Sequence, residues 1–310
     1  MIRFIFYITF LVFGVVSSSA QLKSEEILIN NKSIQLPGTL SYSEEKSPLV
    51  IWVHGSGNVD RNGNQKPSIN ANYIKQFRDS INQKGIAFFS YDKRTANPEN
   101  RSYFKENGAV ITDFVDDVKE VVNHFKDDER FAEIILIGHS QGSLIAMMAS
   151  GHVDKFISLA GPSETVDKVM VKQISKNNPT LGEAAKQQFD TLRIKGKIET
   201  VNPFLVSIFA KPNQDFLKSW MLLNPVDEIK KVTIPTLIIN GDKDLQVMVD
   251  NATRLKEAKP DAELSIIKNM NHVLKHIEDN ADNMKSYVSA DFPISKELIK
   301  VVTDFIKSKY

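Results

Sequence analysis

A chain of 310 residues with a hydrophobic fraction of 42% is long enough for one large domain or two modest ones around a substantial core. Its 39 basic and 38 acidic residues leave a net charge of +1 with no long single-sign block, which argues for a small-molecule partner and against nucleic acid or an anionic membrane surface. Cysteine is absent, which excludes disulfides, thiol catalysis, zinc ribbons and lipid attachment through a terminal cysteine.

Residues 1–20 read as an export signal. Arg3 precedes an apolar run from Phe4 to Val16, and Ser18-Ser19-Ala20 offers small residues where a signal peptidase reads, so cleavage is expected after Ala20. The apolar run is shorter than the roughly 20 residues of a membrane span. The domain is therefore expected over 21–310, in a secreted or periplasmic location, with no stable membrane insertion after cleavage.

Two short antiparallel strands are expected between Glu25 and Tyr42, broken by Asn30-Asn31 and Pro37-Gly38. Leu49 to Val53 is a continuous apolar run suited to a strand buried on both faces, and it ends at His54-Gly55-Ser56-Gly57. A glycine-rich loop after a central strand can turn a backbone N–H inward to hold an oxyanion, with Ser56 as first choice and Gly57 second. His54 reads as a structural histidine beside that turn. The polar run Asn58 to Asn70 reads as a surface loop near the mouth of a site.

Ile74, Phe77 and Ile81 space a helix closed by Gly85, and the buried strand Ile86 to Tyr91 leads into Asp92-Lys93-Arg94, charges expected to pin neighbouring loops. The spacing of Val115, Val118, Val121, Val122 and Phe125 predicts an amphipathic helix over Thr112 to Phe125. The strand Glu133 to Ile137 then meets Gly138-His139-Ser140-Gln141-Gly142, which opens a helix at once.

A serine on a strand-to-helix turn must adopt a strained backbone, and glycines two residues either side remove the Cβ atoms that would clash. The strain exposes the hydroxyl, and the helix N-terminus aims unpaired N–H groups at negative charge developing beside it. Ser140 is the expected nucleophile. Phe156 to Ala160 is the next strand.

The alternation fails between about 163 and 226, where apolar stripes around Phe204 to Phe209 and Phe216 to Met221 predict a helical insertion capping the carboxyl ends of the strands. Thr236 to Asn240 resumes the sheet and runs into Gly241-Asp242-Lys243-Asp244. A helix over Val249 to Ala258, a strand over Glu263 to Ile267, the polar cluster Asn269 to His272 and a closing amphipathic helix through Leu298 and Ile306 follow. Each polar cluster stands just past a strand, where open parallel sheets bind ligands.

Serine needs a base, and imidazole suits that work near neutrality; the imidazole in turn needs a carboxylate to fix its tautomer. The chain order is Ser140, an aspartate within Gly241 to Asp244, then His272. On these motifs, together with His54 to Gly57 followed by Asp60-Arg61, and Tyr91-Asp92-Lys93-Arg94, the chain resembles the α/β-hydrolases, in particular secreted or periplasmic esterase-like members related to the serine aminopeptidases.

The resemblance implies a mostly parallel sheet with helices on both faces. It places the acid three residues after the glycine, at Asp244, with Asp242 and Glu164 as lesser candidates, and the base at His272. It departs at Thr95-Ala96-Asn97-Pro98, where relatives commonly carry glycine, so that loop is expected to differ in shape.

The expected activity is hydrolysis of small-molecule esters through an acyl-enzyme, with the N–H groups of Ser56 and Gln141 on the oxyanion and no cofactor. Aminopeptidase, thioesterase or acyltransferase chemistry would use the same residues, and a catalytically silent binding protein is the alternative of another class. His272 and His276 stand four apart, but Val273 follows His272 where a zinc-protease helix has glutamate, so no metal is expected.

Overall fold

The apolar runs assemble into one eight-stranded sheet in the computed structural model, which describes residues 21–309. Residues 1–20, where the export signal is expected, lie outside the described residues. In chain order the strands are β1 (Lys23–Asn31), β2 (Ile34–Tyr42), β3 (Ser47–Val53), β4 (Ala87–Tyr91), β5 (Phe131–His139), β6 (Lys155–Leu159), β7 (Thr236–Gly241) and β8 (Glu263–Ile267). Their spatial order is β1-β2-β4-β3-β5-β6-β7-β8. β1 with β2 and β2 with β4 are antiparallel, and every other pairing is parallel. This is the α/β-hydrolase architecture.

The strands alternate between two cores. Leu49, Ile51 and Val53 of β3 point to one face, where they meet α3 (Ile111–Phe125) and α4 (Gln141–Ala149), with α10 (Val249–Ala258) under the later strands. Val50 and Trp52 point to the other, against α1 (Tyr73–Asn82) and α12 (Lys296–Lys307). Burial on both faces is why β3 and β7 read as apolar runs through Leu49 to Val53 and Leu237 to Ile239, and why β4 and β6 are apolar but for Ser90, Lys155 and Ser158.

Pro37-Gly38 does not break the second strand as expected; both residues lie inside β2. Pro37 pairs with Leu28 on the outer strand, and its carbonyl accepts the Asp92 N–H at 2.8 Å. Gly38 serves a close approach: a Cβ there would stand 2.3 Å from Phe89 Cζ and 2.9 Å from Ser90 O. The pair reads as a turn in sequence because the ring of Phe89, which needs the missing side chain, is fifty residues away.

Between β6 and β7 the chain runs through α5 (Val166–Asn177), α6 (Pro179–Lys195), α7 (Val206–Phe209), α8 (Gln214–Met221) and α9 (Pro225–Ile229). These helices carry their own core around Phe189, Leu192, Phe209 and Leu217. The segment rests on the α3/α4 face: Phe216 meets Phe114 edge-on at 5.3 Å, and Ser219 Oγ accepts the Ile111 N–H at 2.9 Å.

Two shorter helices, α2 (Arg101–Glu106) and α11 (Asn283–Ser286), carry no apolar period long enough to be read from sequence. Gly38→Ala is expected to destabilise the protein by about 1–3 kcal/mol through overpacking against Phe89. A urea midpoint lowered at unchanged slope is the measurement.

Candidate active site

The strand-to-helix turn carries a strained residue. Ser140 has φ 53° and ψ −121°, a region that costs a non-glycine residue about 1–3 kcal/mol unless its surroundings impose it. They do so from three sides. Ser140 N–H donates to Leu159 O of β6 at 2.9 Å, and Ser143 N–H closes the turn on Ser140 O at 2.9 Å. The backbone of Gly142 lies so near β3 that a Cβ would stand 2.2 Å from Val53 O, and a Cβ on Gly138 would stand 2.4 Å from Gly142 O. The spacing of the two glycines thus reflects backbone crossing backbone.

His272 and Asp244 meet as expected. His272 Nδ1 lies 2.7 Å from Asp244 Oδ2, with both side chains buried. Asp244 Oδ1 accepts the N–H groups of Gln246 and Val247 at 2.8 and 2.9 Å. Asn240 steadies the same loop by donating to Val247 O at 2.9 Å. Donation from Nδ1 to the carboxylate leaves Nε2 with its lone pair, the form a general base needs.

The lesser acid candidates are occupied elsewhere. Asp242 accepts the Asn269 N–H at 2.6 Å, and Glu164 pairs with Lys172 and with Arg254 at 3.3 Å. His276 faces Glu278 at 3.6 Å. Among the described residues no group of three or more His, Asp or Glu side chains gathers as a metal site.

His139, beside the nucleophile, holds the base from behind. Its Nε2 is 2.8 Å from His272 O, which can only accept, so Nε2 carries the proton, and Nδ1 faces the Tyr73 hydroxyl at 3.5 Å. Burial, with His272 nearby, pushes its pKa down to about 3. His54 is buried too and pushed to about 3 by burial, which suits the structural role expected of it and excludes it as a base near neutrality.

Ser140 and His272 line one cleft of about 120 Å³, together with Ser56 and Gly55. Its walls come from two irregular segments, 55–73 (Val59, Gln65, Ile69, Tyr73) and 272–287 (Val273, Tyr287). They join where Asn70 N–H donates to Val288 O at 3.3 Å and Gln76 Nε2 to Ala290 O at 2.7 Å. None of the lining residues belongs to 163–226, the segment expected to cap the site. The polar 58–70 run, read as a surface loop near the mouth of a site, borders the cleft through Val59, Gln65 and Ile69 and buries Val59 and Asn64. Tyr73 shares the buried face of α1 with Phe77 and Ile81, which hides its place in the cleft among core positions, and Tyr287 stands in no periodic pattern or motif.

The charges after β4 pin these loops. Asp92 accepts a forked pair from Arg61 at 3.1 and 3.0 Å, and Asp117 accepts one from Arg94 at 2.6 and 2.7 Å. Lys93 Nζ donates to Gly55 O at 2.7 Å and to Gln141 Oε1 at 2.8 Å. Lys275, behind the cleft, donates to Ala71 O at 3.0 Å and Phe292 O at 2.9 Å. Burial pushes Lys93 down to about 7 and Lys275 to about 8.

A model of the BD-FAE family matches residues 34–258. Esterase EstD of Thermotoga maritima is 26% identical over 267 residues, 81% of this chain; the chain spans 60% of that relative's length. Among solved structures, Est1E from Butyrivibrio proteoclasticus superposes with a TM-score of 0.55 at 17% identity, covering 91% of this chain and 96% of the other. The acylaminoacyl peptidase of Pyrococcus horikoshii gives 0.59 at 17% identity, covering 93% of this chain and 42% of the other. At such identities the likeness is one of fold.

Glycine tolerates the elbow conformation and alanine does not, so Ser140→Gly is expected to unfold at higher urea than Ser140→Ala, by about 1 kcal/mol after its greater unfolded-state entropy. The buried lysines add a pH dependence. The unfolded chain keeps both protons up to about 10.5, whereas the folded chain releases them near 7 and 8, so the unfolded state binds more protons in between. Stability should therefore rise from about pH 7 to about pH 9, and Lys93→Met should flatten the rise in urea titrations.

Proposed function

The chain belongs to the BD-FAE family, and from that premise we propose that it is a serine hydrolase that cleaves carboxylic esters of small molecules. The observation that carries this reading is that His272, 2.7 Å from the buried Asp244, lines one cleft with a serine held at positive φ. Ser140 attacks the ester carbonyl while His272 Nε2 accepts its proton, and Asp244 stabilises the imidazolium. The N–H groups of Ser56 and Gln141 receive the oxyanion. His272 protonates the departing alcohol, then activates the water that releases the acid. The residues supply every proton transfer themselves.

The cleft lining supports a neutral ester over a peptide. It includes Val59, Ile69, Val273 and the rings of Tyr73 and Tyr287, with no carboxylate to receive a substrate ammonium. Its small volume favours short acyl groups. The esterase naming of the Thermotoga maritima relative points the same way. Export to a secreted or periplasmic location is part of the proposal and rests on the sequence of residues 1–20.

Purified protein is expected to hydrolyse p-nitrophenyl acetate and butyrate faster than the octanoate or longer esters. Ser140→Ala should reduce kcat by about 10³-fold or more. Equal rates in wild type and Ser140→Ala would sink the serine mechanism, and release of N-terminal residues from unblocked peptides at a higher kcat/KM would replace the ester reading.

A further inference from the structure

We propose that Lys93 is the positioning residue of the oxyanion site: its side chain orients the Gly55–Ser56 peptide so that the Ser56 N–H faces the nucleophile, and it locks the side chain of Gln141, which carries the second donor. The inference rests on the serine-hydrolase reading above.

The argument starts from peptide geometry. Lys66–Pro67 is the one cis bond among the described residues, so the Gly55–Ser56 peptide is trans, and its C=O and N–H point in opposite directions. Lys93 Nζ holds Gly55 O at 2.7 Å on the buried side. Ser56 N–H is thereby turned the other way, towards the cleft that Ser56 lines with Ser140 and His272. The peptide lies directly against the nucleophile, since a Cβ on Gly55 would stand 3.3 Å from Ser140 Cβ. Gly55 has no side chain to resist rotation of that peptide. The restraint is the lysine.

The second arm reaches the elbow. Lys93 Nζ donates at 2.8 Å to Oε1 of Gln141, the first residue of α4, whose own N–H has no intrahelical partner. One amino group therefore braces both donor residues against each other. Its backbone adds a third hold, because Lys93 N–H donates to Val59 O at 3.2 Å. The face of Phe114, 5.0 Å from Nζ, covers another side.

The neighbouring charges set Lys93 apart. Asp92 bonds Arg61 and Arg94 bonds Asp117, pairings that tie loop to strand and helix to strand. Both side-chain acceptors of Lys93 belong to residues at the oxyanion site. A buried amino group is costly beside an apolar side chain unless it is hydrogen-bonded. Here it has a local task, a hold on a carbonyl whose peptide partner does the work.

Lys93→Met keeps an unbranched side chain one atom shorter and removes both hydrogen bonds. For p-nitrophenyl acetate, kcat is expected to fall about 10²-fold, as on loss of one oxyanion donor, with KM within about threefold of wild type. Affinity for an alkyl boronic acid, which adds to Ser140 as a tetrahedral anion, should fall by a similar factor. Gln141→Met breaks the second arm alone, should lose about tenfold in kcat, and decides the matter if Lys93→Met does not fold.

A wild type without ester hydrolysis removes the reading on which this rests. An active wild type whose two variants keep kcat and boronate affinity within about threefold overturns the role of Lys93. A loss confined to KM or to the urea midpoint overturns it too.

Discussion

The structure depends on a backbone held where it would not rest by itself. Ser140 occupies a positive φ because three neighbours deny it any other conformation: Leu159 O from β6, Val53 O from β3 crossing Gly142, and Ser143 N–H closing the turn. Ser143 Oγ and Ser158 Oγ, 2.7 Å apart, tie the helix to β6 one turn further on. Ala160, just past β6, also sits at positive φ (51°), and the strands that impose the strain are buried on both faces and cannot yield. Everything reactive in the cleft takes its position from that point.

Around the elbow, polar groups are buried in pairs rather than avoided. Arg94 and Asp117 form a forked ion pair with almost no exposure, and Asn31 Nδ2 reaches the same carboxylate at 2.8 Å. Asn271 links to Asn283 and Ser286 at 3.0 and 2.7 Å behind the histidine. Such networks contribute little net stability, because desolvation offsets much of the attraction. Their effect is geometric: each fixes an irregular segment that has no ladder of backbone hydrogen bonds to hold it. The 55–73 and 268–295 segments, which make the cleft walls, are fastened this way.

The helical segment between β6 and β7 stands apart from the chemistry. Its own core around Phe189 and Phe209 gives it independent rigidity, and its anchorage on α3 and α4 places it beside the cleft walls. Gln173 Nε2 donates at 3.0 Å to Gln246 O in the loop of Asp244. The cleft is therefore lined by the loops after the strands, whose sequences are polar and irregular, and not by the aromatic stripes of the insertion.

What the sequence determined by itself were the features written in local pattern. Burial on both faces gives unbroken apolar runs, amphipathic helices give a 3.6-residue period, and a strand-to-helix turn crossed by other strands demands glycine at 138 and 142, so the sheet, its helices and the elbow were legible before any coordinates. The expected place of Ser140 followed from the same reading, whereas Asp244 and His272 were singled out among the polar clusters past strand ends by the resemblance to the α/β-hydrolases. Only the tertiary structure decided that Pro37-Gly38 stays in a strand, that the 58–70 run walls the cleft, and that Tyr73, Tyr287 and His139 surround the base. The physical reason is that each of these depends on a partner distant in sequence: Phe89 across from Gly38, Val288 across from Asn70, His272 O beside His139. Lys93 shows the division most plainly, since its charge after β4 is readable in one dimension while its two acceptors, 38 and 48 residues away, exist only in three.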